Sequence, residues 1–402
     1  MSRLAINGGN PLRTKSFPSW PQYDGKEVEA LKKVLYSGVW GTLGSEADRF
    51  CEKFAGYQNA RYGVAVTNGT VSLEVILRAL GIGPGDEVIV PPYTFNATAS
   101  AVLFVGAAPV FADIDINTFD IDANKIEEVI TPRTKAIIPV HIGGRACDMD
   151  AIKDVAQRHN LFVVEDAAHA HGSEWKGKRV GAIGNAGSFS FQASKNLTAG
   201  EGGFIMTNDY GIYEKCWSIH HCGRSRENTV WYDHPRVGTN ARMTEWQAAI
   251  LNVQIERLDA QIEKRMENAE YLNSRLSEFD FIKILKPDER VTRNSYHLFV
   301  FRYLSEKCKE LSREKFLDAL KAEGIPCSAG YVPLYKQTML VSAEAVRLIG
   351  RRAYDTMKLE NAERAGREGV WLGQMLLLGD KKDMDDIAAA IEKIYENVNE
   401  LL

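Results

Sequence analysis

Short apolar runs alternate with stretches of helical periodicity over roughly the first 250 residues of the chain. A short apolar run bounded by turn residues is typical of a buried β-strand, and spacing of i, i+3 and i+4 is typical of a helix. The predicted strands include residues 63–67, 88–90, 110–112, 136–140 and 161–165, and the predicted helices include residues 71–80, 123–129 and 149–159. This alternation predicts an α/β fold with a mostly parallel sheet and helices on both faces.

The pattern changes after a long helix that we predict to begin at Thr244 and to run to about Arg275. Beyond it, residues 296–303 predict a strand and residues 313–323 a helix. An apolar stripe over residues 384–401 predicts a final amphipathic helix that packs on a core. We therefore expect three parts, namely an N-terminal arm (1–20), a large domain (21–255) and a smaller α+β domain (256–402).

The N-terminal region combines an extended arm with two helices. Proline residues in the first 21 positions favour an extended arm, and residues 27–36 have helical spacing. Ser45 is expected to cap a second helix that turns Phe50 and Phe54 towards the core.

Composition narrows the class of protein. The 402 residues are 45% hydrophobic and 25% charged, with a net charge of -4, so a nucleic-acid or anionic-membrane partner is not indicated. No apolar run approaches the ~20 residues that cross a bilayer, and the N-terminus lacks a signal-peptide core. The six cysteines form no CxxC pair, which favours reduced thiols and a cytoplasmic location.

The first candidate for chemistry is Lys195, within the sequence Ser-Phe-Ser-Phe-Gln-Ala-Ser-Lys-Asn-Leu-Thr-Ala-Gly-Glu-Gly-Gly at residues 188–203. A lysine on a tight turn of small residues can direct its amine into a cleft. Such an amine can form a Schiff base with an aldehyde cofactor. The competing interpretation is a solvated loop lysine, which describes most lysines.

A second candidate is the turn of Asn68, Gly69 and Thr70 between a predicted strand and a predicted helix. A helix N-terminus offers free backbone N–H groups, and glycine lets a phosphate approach closely. Thr70 as an ordinary helix cap is the alternative.

Further candidates lie at the carboxyl ends of predicted strands, where α/β sheets bind ligands. Asp166 follows a buried strand and can pair with a protonated ring nitrogen, although an aspartate here can also cap a helix. His169 can lie over or beside the same ring. Tyr93 or Phe95 can stack on a flat cofactor, with core packing as the alternative.

Two adjacent histidines, His220 and His221, precede Cys222. We do not assign a metal site to them, because adjacent side chains point apart and no second ligand pair has the spacing of a metal motif.

Taken together, these motifs resemble those of fold-type-I pyridoxal 5'-phosphate enzymes, and more closely the DegT/DnrJ/StrS family of sugar and cyclitol aminotransferases. The similarity is strong from about residue 20 to residue 258. The matching segments are residues 67–70, 91–95, 165–169, 189–195, 198–203 and 238–242.

The resemblance implies a role for each residue around the cofactor ring. Lys195 would hold pyridoxal phosphate covalently and move protons during the reaction. Asp166 would bind the ring nitrogen, and His169 would lie beside the ring oxygen. Phe95 would stack on the ring.

The resemblance also implies a phosphate site and a shared dimer. Gly69, Thr70 and Ser190 would bind the cofactor's phosphate. Asn240 matches an asparagine that the family supplies from the other subunit, which implies a two-fold symmetric homodimer with shared active sites.

The activity implied is transfer of an amino group from glutamine or glutamate to a keto sugar or keto cyclitol. Lys195 favours transamination over the dehydratases of the family, which have a histidine in its place. Two subgroups remain open, the glutamine:scyllo-inosose aminotransferases and 3-amino-5-hydroxybenzoate synthase. Residues 328–335 depart from the pattern of the nucleotide-sugar enzymes, and loops such as 39–44 and 220–237 are expected to set specificity.

A regulator that binds the cofactor without turnover is the non-enzymatic alternative. No helix-turn-helix pattern or basic patch supports it, and the intact lysine and aspartate favour an enzyme.

Overall fold

The computed structural model describes residues 3–42, 44–226 and 232–402, which contain twelve strands and twelve α-helices. The strands are β1 (Tyr62–Val66), β2 (Glu87–Val90), β3 (Ala108–Phe111), β4 (Thr134–Ile137), β5 (Phe162–Asp166), β6 (Glu174–Trp175), β7 (Lys178–Arg179), β8 (Ala186–Ser190), β9 (Gly203–Thr207), β10 (Ile282–Ile284), β11 (Leu298–Tyr303) and β12 (Gly369–Gly373). The helices are α1 (Gly25–Ser37), α2 (Glu46–Tyr57), α3 (Gly69–Ala79), α4 (Ala97–Phe104), α5 (Ala123–Glu127), α6 (Met149–Arg158), α7 (Tyr210–His220), α8 (Glu245–Leu276), α9 (Arg313–Ala322), α10 (Ala343–Ile349), α11 (Glu360–Glu368) and α12 (Lys381–Glu396).

Seven strands form one sheet in the order β1-β9-β8-β5-β4-β2-β3. The pairs from β8 through β5, β4 and β2 to β3 are parallel, and β9 is antiparallel to both β8 and β1. The mostly parallel sheet predicted from the sequence is confirmed. Because parallel strands end at the same edge, the segments that follow β1, β2, β5 and β8 meet there.

Helices cover both faces of this sheet. Successive strand residues belong to different apolar clusters, so that Ala65 packs with one cluster while Val64 and Val66 pack with the other. Helices α2, α6 and α8 contribute to the first cluster, and helices α3, α4 and α7 to the second. In the described part of the chain, no helix combines the length and apolarity needed to cross a bilayer.

The start of α2 differs from the prediction. Ser45 precedes the helix, but its side chain makes no capping hydrogen bond. The carboxylate of Glu245 instead accepts hydrogen bonds from the backbone N–H groups of Glu46 (2.7 Å) and Ala47 (3.1 Å). The cap therefore comes from a residue about 200 positions away, a contact that local sequence does not reveal.

Helix α8 connects the large sheet to a second core. It starts at Thr244, as predicted, which caps it in a capping box with Gln247, and its 32 residues span about 48 Å. Its first half packs on the large sheet, and its last turns join the core around the antiparallel sheet β10-β11-β12. The boundary proposed after residue 255 falls inside this helix, and the division into domains stays a prediction.

The predicted final helix is shorter than its apolar stripe. Helix α12 ends at Glu396, and the apolar stripe continues in a 3-10 turn, Val398–Glu400. The stripe is buried in the same core as the end of α8.

The N-terminal arm packs on this second core through a buried carboxylate. Glu323 is fully buried, and its oxygens accept hydrogen bonds from the backbone N–H groups of Ala5 and Leu12, each at 2.9 Å. The ammonium of Lys393 neutralises the carboxylate at 2.8 Å. Leu4 is also fully buried there. The arm is therefore an integral part of the fold.

We expect Glu323→Ala to destabilise the protein by about 3 kcal/mol or more, because it leaves Lys393 and two backbone N–H groups buried without their partner. Thermal unfolding and trypsin cleavage after Arg13 and Lys15 measure the effect. The matched control is Glu306→Ala on an exposed turn, which should change stability by less than about 0.5 kcal/mol. Equal behaviour of the two variants would contradict this role of Glu323.

Candidate active site

The strand ends enclose a cleft of about 940 Å³ between the large sheet and the small sheet. Its lining includes all but one of the residues predicted for the site, namely Gly69, Thr70, Phe95, Asp166, His169, Ser190 and Lys195. Asn240 is exposed on the surface and does not line the cleft of its own chain. The assigned roles stay predictions, but the fold brings these side chains together.

Asp166 is the last residue of β5, and its carboxylate is buried at the cleft floor. The Thr98 hydroxyl donates to Oδ2 at 2.8 Å, and the Ala168 N–H donates to Oδ1 at 3.2 Å. Burial raises the pKa of Asp166 above its usual value, while these hydrogen bonds and the charge of Lys195 oppose the rise. In the described residues 167–173 no helix begins, so Asp166 is not a helix cap. A cation placed beside this carboxylate would be strongly favoured.

Lys195 lies on the turn after β8, where its backbone N–H donates to the Gln192 carbonyl at 2.8 Å. Burial lowers the pKa of its amine from 10.5 to about 8, and the charge of Asp166 acts in the opposite direction. An amine with this pKa is neutral in a far larger fraction of the molecules near neutral pH than an ordinary lysine is. A neutral amine is the form that attacks an aldehyde.

The turn before α3 is capped by Asn68 and not by Thr70. Asn68 Oδ1 accepts a hydrogen bond from the Val71 N–H at 2.9 Å, and α3 begins at Gly69. The alternative in which Thr70 serves as the helix cap is therefore wrong. The N–H groups of Gly69 and Thr70 belong to the first turn, which has no intrahelical acceptors for them. They are available to an anion in the cleft.

Two close approaches hold this turn against the neighbouring strands. A Cβ atom at Gly203 would lie 2.2 Å from the carbonyl carbon of Asn68, so only glycine fits where β9 begins. A Cβ atom at Gly69 would lie 2.9 Å from the Cβ of Ser190. The N-terminus of α3 and the end of β8 therefore face the same small volume.

The two aromatic candidates have different environments. Tyr93 is 1% exposed and packs edge-on against Phe119 with 5.2 Å between ring centroids, so it belongs to the core. Phe95 lines the cleft and is 57% exposed. Of the two, Phe95 has an accessible face on which a planar ring can stack.

His169 is buried beside the cleft as a neutral hydrogen-bond donor. Its Nδ1 accepts a hydrogen bond from the Gly143 N–H at 3.2 Å, which leaves the proton on Nε2. Burial and the charge of Lys195 hold the pKa of His169 well below its usual value. The imidazole can therefore donate to an oxygen at neutral pH.

The sequence did not single out several residues that line or support the cleft. Trp20 on the N-terminal arm lines it and donates from Nε1 to the Ala193 carbonyl at 3.0 Å. Thr98, His297 and Gln374 were also missed. A tryptophan between prolines and a histidine before an apolar strand were the available signals, whereas nothing local marked Thr98 or Gln374.

Leu43 and residues 227–231, within the two loops proposed to set specificity, lie outside the described residues. Among the residues that are described, no three His, Cys, Asp or Glu side chains are grouped closely enough to bind a metal ion.

This set of groups fits pyridoxal phosphate. Lys195 supplies an amine for the aldehyde, Asp166 a buried carboxylate for a basic ring nitrogen, and the start of α3 an anion site for the phosphate. A side chain at Gly69 would collide with Ser190, so the backbone of the first turn of α3 lies directly against the end of β8.

Comparison with known proteins identifies relatives over almost the whole chain. Residues 21–392 match the model of the DegT/DnrJ/EryC1/StrS aminotransferase family. A Streptoalloteichus tenebrarius protein provisionally named L-glutamine:3-amino-2,3-dideoxy-scyllo-inosose aminotransferase is 41% identical, covering 100% of this chain and 99% of the relative. An L-glutamine:2-deoxy-scyllo-inosose aminotransferase from the same organism is 36% identical, covering 99% of each chain.

Among solved structures, 3-amino-5-hydroxybenzoic acid synthase has a similar fold. It is 34% identical in sequence, with a TM-score of 0.89 over 96% of this chain and 100% of that chain.

The pKa of Lys195 leads to a prediction for the protein freed of cofactor. Reductive methylation needs a neutral amine, so we expect the rate at Lys195, followed by peptide mass spectrometry, to rise with a midpoint near pH 8. Because Asp166 raises the pKa of Lys195, Asp166→Asn should move the midpoint lower. A wild-type midpoint near 10.5, or an upward shift in the variant, would contradict the assigned environment.

Proposed function

The chain belongs to the DegT/DnrJ/EryC1/StrS aminotransferase family and is a pyridoxal-phosphate-dependent enzyme, and we propose that it moves an amino group from L-glutamine to a keto cyclitol. L-glutamate as donor and a keto sugar as acceptor are the variants of this proposal. The observation that carries it is the placement of Lys195 and Asp166 in one cleft.

The names of the relatives support this choice of substrates. Both relatives described above are named for glutamine as donor and for a scyllo-inosose derivative as acceptor, and this chain matches each over nearly its full length. A cleft of about 940 Å³ is large enough for the cofactor and a six-membered ring.

Pyridoxal phosphate, when bound, supplies an aldehyde that takes up the amino group and a cationic ring that stabilises negative charge at the α-carbon of the donor. Lys195 would hold this aldehyde until the amino donor displaces it. Its freed Nζ would then take the proton from the donor's α-carbon as general base and deliver it, as general acid, to the carbon of the former aldehyde. A pKa of about 8 suits both tasks near neutral pH.

Asp166 would keep a proton on the ring nitrogen. Its carboxylate is buried and lines the cleft, and within the described part of the chain it forms no ion pair, so a protonated ring nitrogen would supply the missing charge. Thr98 and the Ala168 N–H fix the orientation of the carboxylate.

The remaining residues position the cofactor. His169 would donate from Nε2 to the ring oxygen, and Phe95 would stack on the ring. Gly69, Thr70 and Ser190 would bind the phosphate at the start of α3.

The active enzyme is a homodimer in which Asn240 completes the site of the other subunit. Asn240 is exposed in its own chain, as a residue that serves a partner would be. Phe104 also lines the cleft and is 60% exposed, so it is an apolar side chain that a partner subunit can cover. The free cysteines, several of them buried, support the cytoplasmic location in this proposal.

A second candidate function is a 3-amino-5-hydroxybenzoate synthase-like reaction. The TM-score of 0.89 to that enzyme supports it, and the same cleft groups serve both reactions. The two candidates differ in one reaction of the loaded protein, the protein that carries pyridoxal phosphate. An aminotransferase reacts with an amino acid donor, and the synthase candidate does not.

We expect L-glutamine to convert the visible absorbance of the loaded protein from about 410–430 nm to about 330 nm. L-glutamate and L-alanine are tested alongside, and Lys195→Ala is the control, which should show neither the first band nor the conversion. If no amino acid shifts the band, the transaminase proposal fails and the synthase candidate is favoured.

Mixed dimers test the sharing of active sites. Lys195→Ala subunits are inactive alone and Asn240→Ala subunits are weakly active, but an equal mixture that exchanges subunits should reach about a quarter of the wild-type activity, because half of the dimers then contain one intact site. Lys195→Ala mixed with Asp166→Asn is the control and should regain none. The absence of recovery in the first mixture would contradict a contribution of Asn240 in trans.

A further inference from the structure

Two side chains from the small sheet line the cleft on the side of His169. His297 immediately precedes β11, and Gln374 immediately follows β12. The Gln374 backbone N–H donates to the His297 carbonyl at 3.2 Å, so the two residues are neighbours across the sheet. Neither has a role in the chemistry described above.

Asn196 fixes the proton position on His297. Asn196 Nδ2 donates to the Ser295 carbonyl at 2.7 Å, which turns Asn196 Oδ1 towards His297 Nδ1 at 3.3 Å. An amide oxygen only accepts, so Nδ1 of His297 carries the proton. Nε2 of His297 is therefore left with a lone pair. The ring centroid of His297 lies 4.3 Å from that of His169.

Arg265 fixes the amide of Gln374. The guanidinium donates from Nε at 3.0 Å and from Nη2 at 2.5 Å, both to Oε1 of Gln374. Because a guanidinium has no acceptor, the atom it faces must be the oxygen, and the NH₂ group of Gln374 is left over. Arg265 is fully buried and forms no ion pair in the described residues; its polar side-chain contacts are these two hydrogen bonds and the face of the Trp20 ring, whose centroid lies 5.4 Å from the guanidinium carbon.

We propose that His297 and Gln374 form a subsite for a ring hydroxyl of the acceptor, a neutral polyhydroxylated cyclic ketone. The hydroxyl donates to Nε2 of His297 and accepts from Nε2 of Gln374. Asn196 and Arg265 are positioning residues. They fix which atom of His297 accepts a hydrogen bond and which group of Gln374 donates one. This inference rests on the proposed amino transfer. It adds that the site recognises a ring hydroxyl of the acceptor.

The polarity of the pair selects the ligand group. A carboxylate only accepts and would face the lone pair of His297, whereas an ammonium only donates and would face the NH₂ group of Gln374. Burial holds the pKa of His297 well below its usual value, so the lone pair persists at neutral pH. A hydroxyl satisfies both partners through one atom. The side-chain carboxamide of glutamine also donates and accepts, and the experiment separates these two ligands.

The test measures the two half-reactions separately by rapid-mixing absorbance. The donor half-reaction uses L-glutamine, and the acceptor half-reaction starts from the aminated protein and uses 2-deoxy-scyllo-inosose or cyclohexanone. For His297→Phe we expect the second-order rate constant with 2-deoxy-scyllo-inosose to fall about 10- to 100-fold. The constants for L-glutamine and for cyclohexanone, which has no hydroxyl, should fall less than about 3-fold.

Gln374→Glu separates recognition from structural support. The carboxylate introduced at position 374 keeps an oxygen bonded to Arg265 and forms an ion pair with its guanidinium. It replaces the NH₂ group with a second hydrogen-bond acceptor. We expect the same selective loss with 2-deoxy-scyllo-inosose and an unfolding midpoint that is unchanged or higher. A purely structural role of Gln374 predicts no selective loss. His159→Phe, a histidine bonded to Glu127 outside the cleft, is the matched control.

Imidazole nitrogen NMR gives a readout that does not depend on turnover. The signals missing from His297→Phe identify His297, and in the wild type its proton should reside on Nδ1. A proton on Nε2 would overturn the inference, as would equal losses with both ketones or a loss confined to L-glutamine. If wild-type protein does not react with L-glutamine, the proposed function itself fails, which is a distinct result.

Discussion

The opposed charges of Asp166 and Lys195 on the floor of one cleft are the feature on which the rest of the site depends. Burial raises the pKa of the carboxyl group and lowers that of the amine, while each charge partly stabilises the other. The fold sustains this arrangement with groups that only the tertiary structure provides, such as the hydroxyl of Thr98. Because both groups are buried, the amine of Lys195 is reactive and a protonated ring nitrogen is a favourable partner for the Asp166 carboxylate.

Sequence predicted the features that depend on local pattern. The interleaved strands and helices indicated the parallel sheet, and parallel strands place their carboxyl ends at one edge, so motifs far apart in sequence were expected to meet. Gly69, Asp166 and Lys195 do line one cleft. The family, the aminotransferase activity and the cofactor inferred from these motifs are confirmed by the comparisons.

Features that depend on contacts between distant residues were not predictable. Glu245, about 200 positions further along the chain, caps α2 in place of Ser45. The tautomer of His297 follows from its contact with Asn196, about 100 positions earlier in the chain. Hydrogen bonds of this kind leave no periodicity or spacing in the sequence, although they decide which atoms of the site donate and which accept.

Identifying the residue that holds the cofactor tests the role of Lys195 most directly. Borohydride reduction of the loaded protein makes the attachment permanent, and peptide mass spectrometry then locates it. We expect a single modified peptide carrying the pyridoxyl group on Lys195, and no modified peptide once Lys195 is replaced by alanine. Attachment to a different lysine, or a protein that takes up the cofactor without any covalent link, would contradict the role of Lys195 and the mechanism built on it.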